Sequence, residues 1–300
     1  MVRSLTNAPI PKDLPNPRGF RPVVLPDVEF HPDPATLAAP SDAEAWPSAT
    51  TFEQRIPMLD GITLRARLWV PEGPPAPFVV LLHMWGMDAD SWDRRAPGFL
   101  DDLGAMGYAW CALDLRWHGQ SGGEPHCAVF ADWVEAKKLA MDQGRAQHLE
   151  SLARQGPPLG ANVQFLHDLA IVVNYLKQSG RVDPSRWALI GASVGANAGW
   201  VASSLYDART HILVSPWFPS PGWSLMGREV PDFAPRDCLF VADHAEAPDS
   251  RLMAARTAGT VEVYEASEVA EHGVGLLRQG PVARRVLEWL CLALQASHTA

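Results

Sequence analysis

Two serines stand inside a G-x-S-x-G pattern, the spacing that lets a serine hydroxyl occupy a sharp turn free of neighbouring side chains. One is Gly191-Ala-Ser193-Val-Gly195; the other is Gly119-Gln-Ser121-Gly-Gly123. A serine hydroxyl is a weak nucleophile. It attacks a carbonyl only when a base takes its proton, a carboxylate holds that base, and amide donors receive the charge forming on the carbonyl oxygen. The chain carries ten histidines and 34 carboxylate side chains, so residue type limits nothing. Position must decide.

The flanking residues separate the two serines. Ser193 directly follows the apolar run "WALIG" and precedes "VGANAGWVASSL", a run of small residues compatible with a helix. Strand, tight turn and helix form the setting of a nucleophile elbow. Gly191 and Gly195 remove collisions with nearby backbone, and Ala192, Ala196 and Ala198 keep the turn uncrowded. The turn aims the hydroxyl out of the sheet and sets the Val194 N–H, the first of the helix, beside a developing oxyanion. Ser121 is followed by "GGEPHC", which favours irregular structure, and reads as a turn residue.

The elements that must position Ser193 follow from pattern. Residues 1–49, punctuated by prolines from Pro9 to Pro47, read as an extended arm. Residues 50–300 read as one domain with a helical insertion at about 128–160. "TTFEQRIPMLDGITLRARLWV" reads as two strands joined at Asp60-Gly61. "FVVLLHMW", "YAWCALDL", "WALIG", "HILVS", "CLFVA" and "VEVYEA" read as further strands, alternating with helices; a helix after Asp88 is interrupted near Pro97, "VDPSR" is a turn, and a loop separates the last strand from the final helix. That alternation predicts an α/β fold with a mainly parallel sheet covered on both faces.

Composition excludes several function classes. The net charge of −9 makes nucleic acid or an anionic membrane surface a poor partner. No run of eighteen apolar residues is present, so no membrane span is expected, and the first residues lack the apolar core of a signal peptide. The expected location is therefore cytoplasmic, with secretion the alternative if the N-terminus is processed or engineered. Cys111 and Cys238 fall in strand-like runs and read as buried thiols. A metal site of His118, His126 and Cys127 lacks a suitably spaced fourth ligand.

With these elements in view, the chain resembles the α/β-hydrolase superfamily, and within it the dienelactone-hydrolase-like and carboxylesterase branches. Four stretches from about Thr50 onward carry the resemblance: "VVLLHMWG", "ALDLRWHGQS", "VDPSRWALIGASVGANAG" and "ASEVAEHG". The third is the most specific. The resemblance implies an eight-stranded, mostly parallel sheet with a helical lid insertion, a Ser–acid–His triad in that chain order, an oxyanion hole of two backbone amides, and no cofactor. On that order the base is His272, in the loop before the closing helix. The acid comes from "CLFVADHAEAPDS", where Glu246 fits the family's spacing, Asp243 is the alternative, and Asp249 reads as an N-cap of the next helix. The second oxyanion donor is the Trp85 amide, with His83 as a structural ring beneath the loop.

Two departures from the family pattern stand out: Met84 occupies the place of a usual Gly after His83, and Trp117 that of a usual Gly before His118. Asp114, Arg116 and His118 are expected to hold their loop by polar contacts.

Trp85, Trp117, Trp217 and Trp223 fall in loops after strand ends, and Trp133 in the insertion. They are candidate apolar walls for an acyl or aryl group, and the sequence shows no Arg/Lys cluster to clamp an anion. The expectation is a serine esterase acting on a small, neutral, largely apolar ester. A thioesterase or amidase would use the same parts. The contrasting expectation is a non-catalytic binding or structural protein of this fold, motivated by Met84 and the shifted acid.

Overall fold

The computed structural model describes residues 46–58, 61–121, 159–217, 235–266 and 271–295. The Pro-rich arm to residue 45, residues 122–158 (which contain His126, Cys127, Trp133 and nearly all of the expected insertion), Trp223 and His298 lie outside the described residues.

Eight strands form one sheet. They are β1 (Phe52–Pro57), β2 (Thr63–Trp69), β3 (Ala76–Leu82), β4 (Ala109–Leu113), β5 (Val182–Ala192), β6 (Thr210–Val214), β7 (Arg236–Asp243) and β8 (Ala258–Ala266). Their order across the sheet is β1-β2-β4-β3-β5-β6-β7-β8. β1 and β2 pair antiparallel, as do β2 and β4; every pairing from β4 to β8 is parallel. The helices are α1 (Ser91–Arg95), α2 (Phe99–Ala105), α3 (Leu159–Gln178), α4 (Val194–Leu205), α5 (Ala247–Ala254) and α6 (Gly280–Gln295).

The apolar runs are strands because both sheet faces are covered. Phe78, Val80 and Leu82 of β3 pack with Leu166, Leu169 and Val172 of α3 and Val201 of α4. The alternate residues Val79 and Leu81 turn to the other face, toward Trp92, Phe99 and Leu103 of α1 and α2 and Val286 and Leu290 of α6. β1 lies at one margin of the sheet and β8 at the other.

Three elements differ from the sequence reading in extent. β5 begins at Val182, five residues before "WALIG", because Val182 already pairs with Ala76; a register shift then absorbs Asp183–Arg186 before Phe78 pairs with Trp187. The Asp183 carboxylate accepts the Ser185 N–H at 2.9 Å, so the expected turn survives as a kink within the strand. Residues Gly273–Arg278, read as loop, form a 3-10 helix. The helix broken near Pro97 is the pair α1 and α2, with Gly98 left-handed between them.

Candidate active site

Ser193 joins β5 to α4 with φ 53° and ψ −112°, a conformation that non-glycine residues hold only when their surroundings force it. Two bonds fix it there. Its N–H donates to the Val214 carbonyl at 2.9 Å, and its own carbonyl accepts the Asn197 N–H at 3.0 Å, opening the helix. The glycines are sterically obligatory. A Cβ at Gly195 would lie 2.5 Å from the Leu82 carbonyl oxygen, and one at Gly191 would strike the carbonyl of Gly195. The Val194 amide begins α4, where the first N–H groups have no partner within a helix.

His272 approaches the same strand ends from far along the chain. Its Nδ1 lies 2.5 Å from Oε1 of Glu246, the residue preceding α5. The next residue, Gly273, is left-handed and packs so closely that a Cβ there would collide with the Met84 thioether and sit 3.7 Å from Ala192 Cβ. The His272 loop is thus seated beside the residue preceding Ser193. Among the described residues no hydrogen bond joins Ser193 Oγ to His272.

Asp243 and Glu246 have separate partners. Asp243 Oδ1 accepts the Glu246 N–H at 2.8 Å, so it braces the loop carrying Glu246, while Glu246 meets the imidazole. Asp249 is not the N-cap: α5 begins at Ala247, Glu246 takes the cap position, and Asp249 falls in the first turn. Glu246 Oε2 is buried without a hydrogen-bond partner among the described residues. That oxygen is denied water, so the pairing of Oε1 with a histidine proton matters more.

The loop after β3 carries the second candidate donor. His83 is fully buried, and its Nε2 accepts the Leu115 N–H at 2.9 Å; its proton therefore sits on Nδ1, which donates to the Met84 carbonyl at 2.6 Å. Burial, with His118 beside it, lowers the His83 pKa to about 3. The neutral ring thereby links the β3 loop to the β4 loop. The left-handed residue in the turn is Gly86, with φ 72°, and Met84 lies outside that region. The side chain at 84 is accommodated without backbone strain and spends its length packing on Gly273. Trp117 does take the left-handed conformation, φ 64°, a region that favours glycine.

The β4 loop is held as expected. Asp114, fully buried, accepts the N–H groups of Ala89 at 2.6 Å and Gln120 at 2.7 Å, and lies 3.5 Å from the Arg65 guanidinium. Arg116 makes a buried two-pronged bond to Asp168 of α3 at 2.8 and 2.5 Å. His118 donates from Nδ1 to the Arg116 carbonyl at 2.8 Å and meets Trp85 edge-on, with centroids 4.9 Å apart. Ser121 is consumed structurally: its hydroxyl donates to the Asp114 carbonyl at 2.7 Å and accepts the Arg65 N–H at 2.9 Å.

Comparison with solved structures places this architecture. GrgF, an α/β hydrolase from Penicillium, superposes with a TM-score of 0.60 at 12% identity, over 83% of this chain and 100% of its own. A dienelactone hydrolase from Anabaena variabilis gives 0.55 at 14%, over 82% and 99%. The Pyrococcus furiosus esterase Pf2001 gives 0.53 at 16%, over 82% and 93%. The fold is that of the α/β hydrolases. No family model and no curated protein matches the sequence.

In this α/β-hydrolase fold Trp85, Trp117 and Trp217 are partly buried against one core. Trp217 is set by Asn197 of α4, whose amide donates to the Trp217 carbonyl at 3.0 Å and whose carbonyl accepts its N–H at 3.2 Å. Two features escaped the sequence reading. Met87, Arg94, Arg95, Glu271, Gly275 and Arg278 line a cavity of about 370 Å³, so arginines scattered along the chain do gather. His211 of β6 is fully buried with neither ring nitrogen bonded among the described residues, and burial lowers its pKa to about 3. Among the described residues no helix is long and apolar enough to cross a membrane.

Proposed function

We propose that the protein is a serine hydrolase that cleaves a carboxylic ester through an acyl-enzyme. The observation that carries this reading is the 2.5 Å contact between His272 Nδ1 and Glu246, on a loop seated against the residue before the strained Ser193. With Nδ1 engaged, Nε2 is the nitrogen left to take the Ser193 proton as Oγ adds to the ester carbonyl. The oxyanion is received by the amides of Val194 and Trp85. His272 returns the proton to the departing alcohol. A water, deprotonated by the same nitrogen, then releases the acid and restores Ser193. Glu246 holds the imidazole and stabilises its charged form.

Trp85, Trp117 and Trp217 favour an apolar acyl or aryl group. A second reading of specificity, an ester bearing a negative charge, rests on the cavity that gathers Arg94, Arg95 and Arg278 beside Glu271, the neighbour of His272. Paired p-nitrophenyl esters, neutral and ω-carboxylated, separate the two by kcat/KM and its salt dependence. A fluorophosphonate probe tests the reaction itself: the wild type is labelled at Ser193, and Ser193→Ala is not. A folded wild type that resists the probe and hydrolyses no ester overturns the proposal.

A further inference from the structure

The dipeptide Val214-Ser215, at the end of β6, is bonded to Ser193, to β7 and to the residue after His272. The Val214 carbonyl accepts the Ser193 N–H at 2.9 Å. The Ser215 N–H donates to Val241 of β7 at 2.7 Å, and β7 ends at Asp243, which braces Glu246. The Ser215 hydroxyl accepts the N–H of Gly273, the residue after His272, at 2.7 Å. Met84 presses on Gly273 from another side. The peptide that follows His272 is therefore pinned between a thioether and one hydroxyl.

Ser215 occupies an awkward conformation to do this. Its φ is 50°, a region that favours glycine, and Pro216 biases the preceding residue toward extended backbone. The residue is 1% exposed, so its hydroxyl has no access to solvent. Glycine would meet the backbone demand at no steric cost, yet would leave the buried Gly273 N–H without an acceptor. A serine held in this conformation with its oxygen aimed at one amide is explained by that amide.

We infer that Ser215 is a positioning residue: its hydroxyl holds the His272 loop against the strand ends that carry Ser193. The inference rests on the serine-hydrolase reading above. It adds a fourth side chain, one that touches neither substrate nor reacting atoms, to the determinants of turnover. The geometric demand is steep, since displacing a reacting group by about 1 Å costs on the order of 100-fold in rate.

Ser215→Ala and Ser215→Gly test it together, because both remove the acceptor while only Gly relieves the backbone. For both variants kcat on p-nitrophenyl acetate falls by about 10- to 100-fold, KM stays close to wild type, and the fluorophosphonate labelling rate of Ser193 falls in parallel. Hydrogen exchange at the Gly273 amide accelerates in both. Should Ser215→Ala not fold, Ser215→Cys, nearly isosteric and a weaker acceptor, shows the same pattern to a smaller degree. A folded Ser215→Gly that turns over and labels at wild-type rates overturns the inference while leaving the hydrolase reading intact. A wild type that does not label overturns the hydrolase reading, and the inference with it.

Discussion

The two G-x-S-x-G turns share a spelling and differ in what their hydroxyls already touch. Ser121 gives its proton to the Asp114 carbonyl and receives the Arg65 N–H, which ties the β4 loop to β2. Ser193 Oγ makes no hydrogen bond among the described residues, and its backbone is held in the strained conformation that Ser121 does not adopt. The hydroxyl proposed as nucleophile is the one that the fold leaves without a structural bond. Spacing specifies glycines; the flanking strand and helix specify whether the oxygen is spent or spare.

The largest expected effect sharpens this contrast directly. Ser193→Ala lowers kcat on a p-nitrophenyl ester by on the order of 10⁴-fold or more, whereas Ser121→Ala leaves turnover unchanged; equal losses from the two substitutions would break the comparison. Glu246→Gln follows, with a loss of about 10²- to 10⁴-fold in kcat. Asp243→Asn costs less than about tenfold, because its role is to hold the Glu246 amide. Steady-state kinetics on the two carboxamide variants measures the difference between acid and brace.

Acid sharpens the comparison without mutation, by separating loss of fold from loss of chemistry. His83 and His211 are depressed from 6.5 to about 3 by burial. Between those values the unfolded chain binds protons that the native state refuses, so stability falls as pH drops through that window. The two histidines act in the same direction, and the loss reaches its full size only as the pH nears 3. Urea midpoints measured from pH 7 downward should fall steadily below about pH 6.5, and His211→Leu should flatten the slope. The smallest effect belongs to Ser121→Ala, which orphans the Arg65 N–H and lowers unfolding free energy by about 1–3 kcal/mol, read from the same urea curves.

What was legible in the sequence is what is local. Gly191, Ser193 and Gly195 report their turn because the turn itself forbids side chains on either side. The alternation of runs gave away the sheet, since β3 to β7 bury both faces and need unbroken apolar stretches. His272 and Glu246 were reachable only through chain order in a resembling family. Ser215, the Asn197 clamp on Trp217 and the Arg95/Arg278 cavity were not legible, because each depends on partners brought together by the sheet rather than by spacing. The 3-10 helix after His272 was hidden for a different reason: Gly273 and Gly275 dilute any helical signal in so short a stretch.

The sheet's margins have a consequence of their own. β1, at one border, alternates Glu53 and Arg55 with inward Phe52, Gln54 and Ile56 and stops at Pro57, while β8 at the opposite border carries Glu262 and Glu265. A strand from another molecule docking there would have to pack beside Glu53 and Arg55 or beside the Glu262–Arg285 and Glu265–Arg251 pairs, and would find no amide donor at the proline. Crowded copies of this protein are thereby discouraged from zipping into ribbons, and concentrated samples should resist fibre formation.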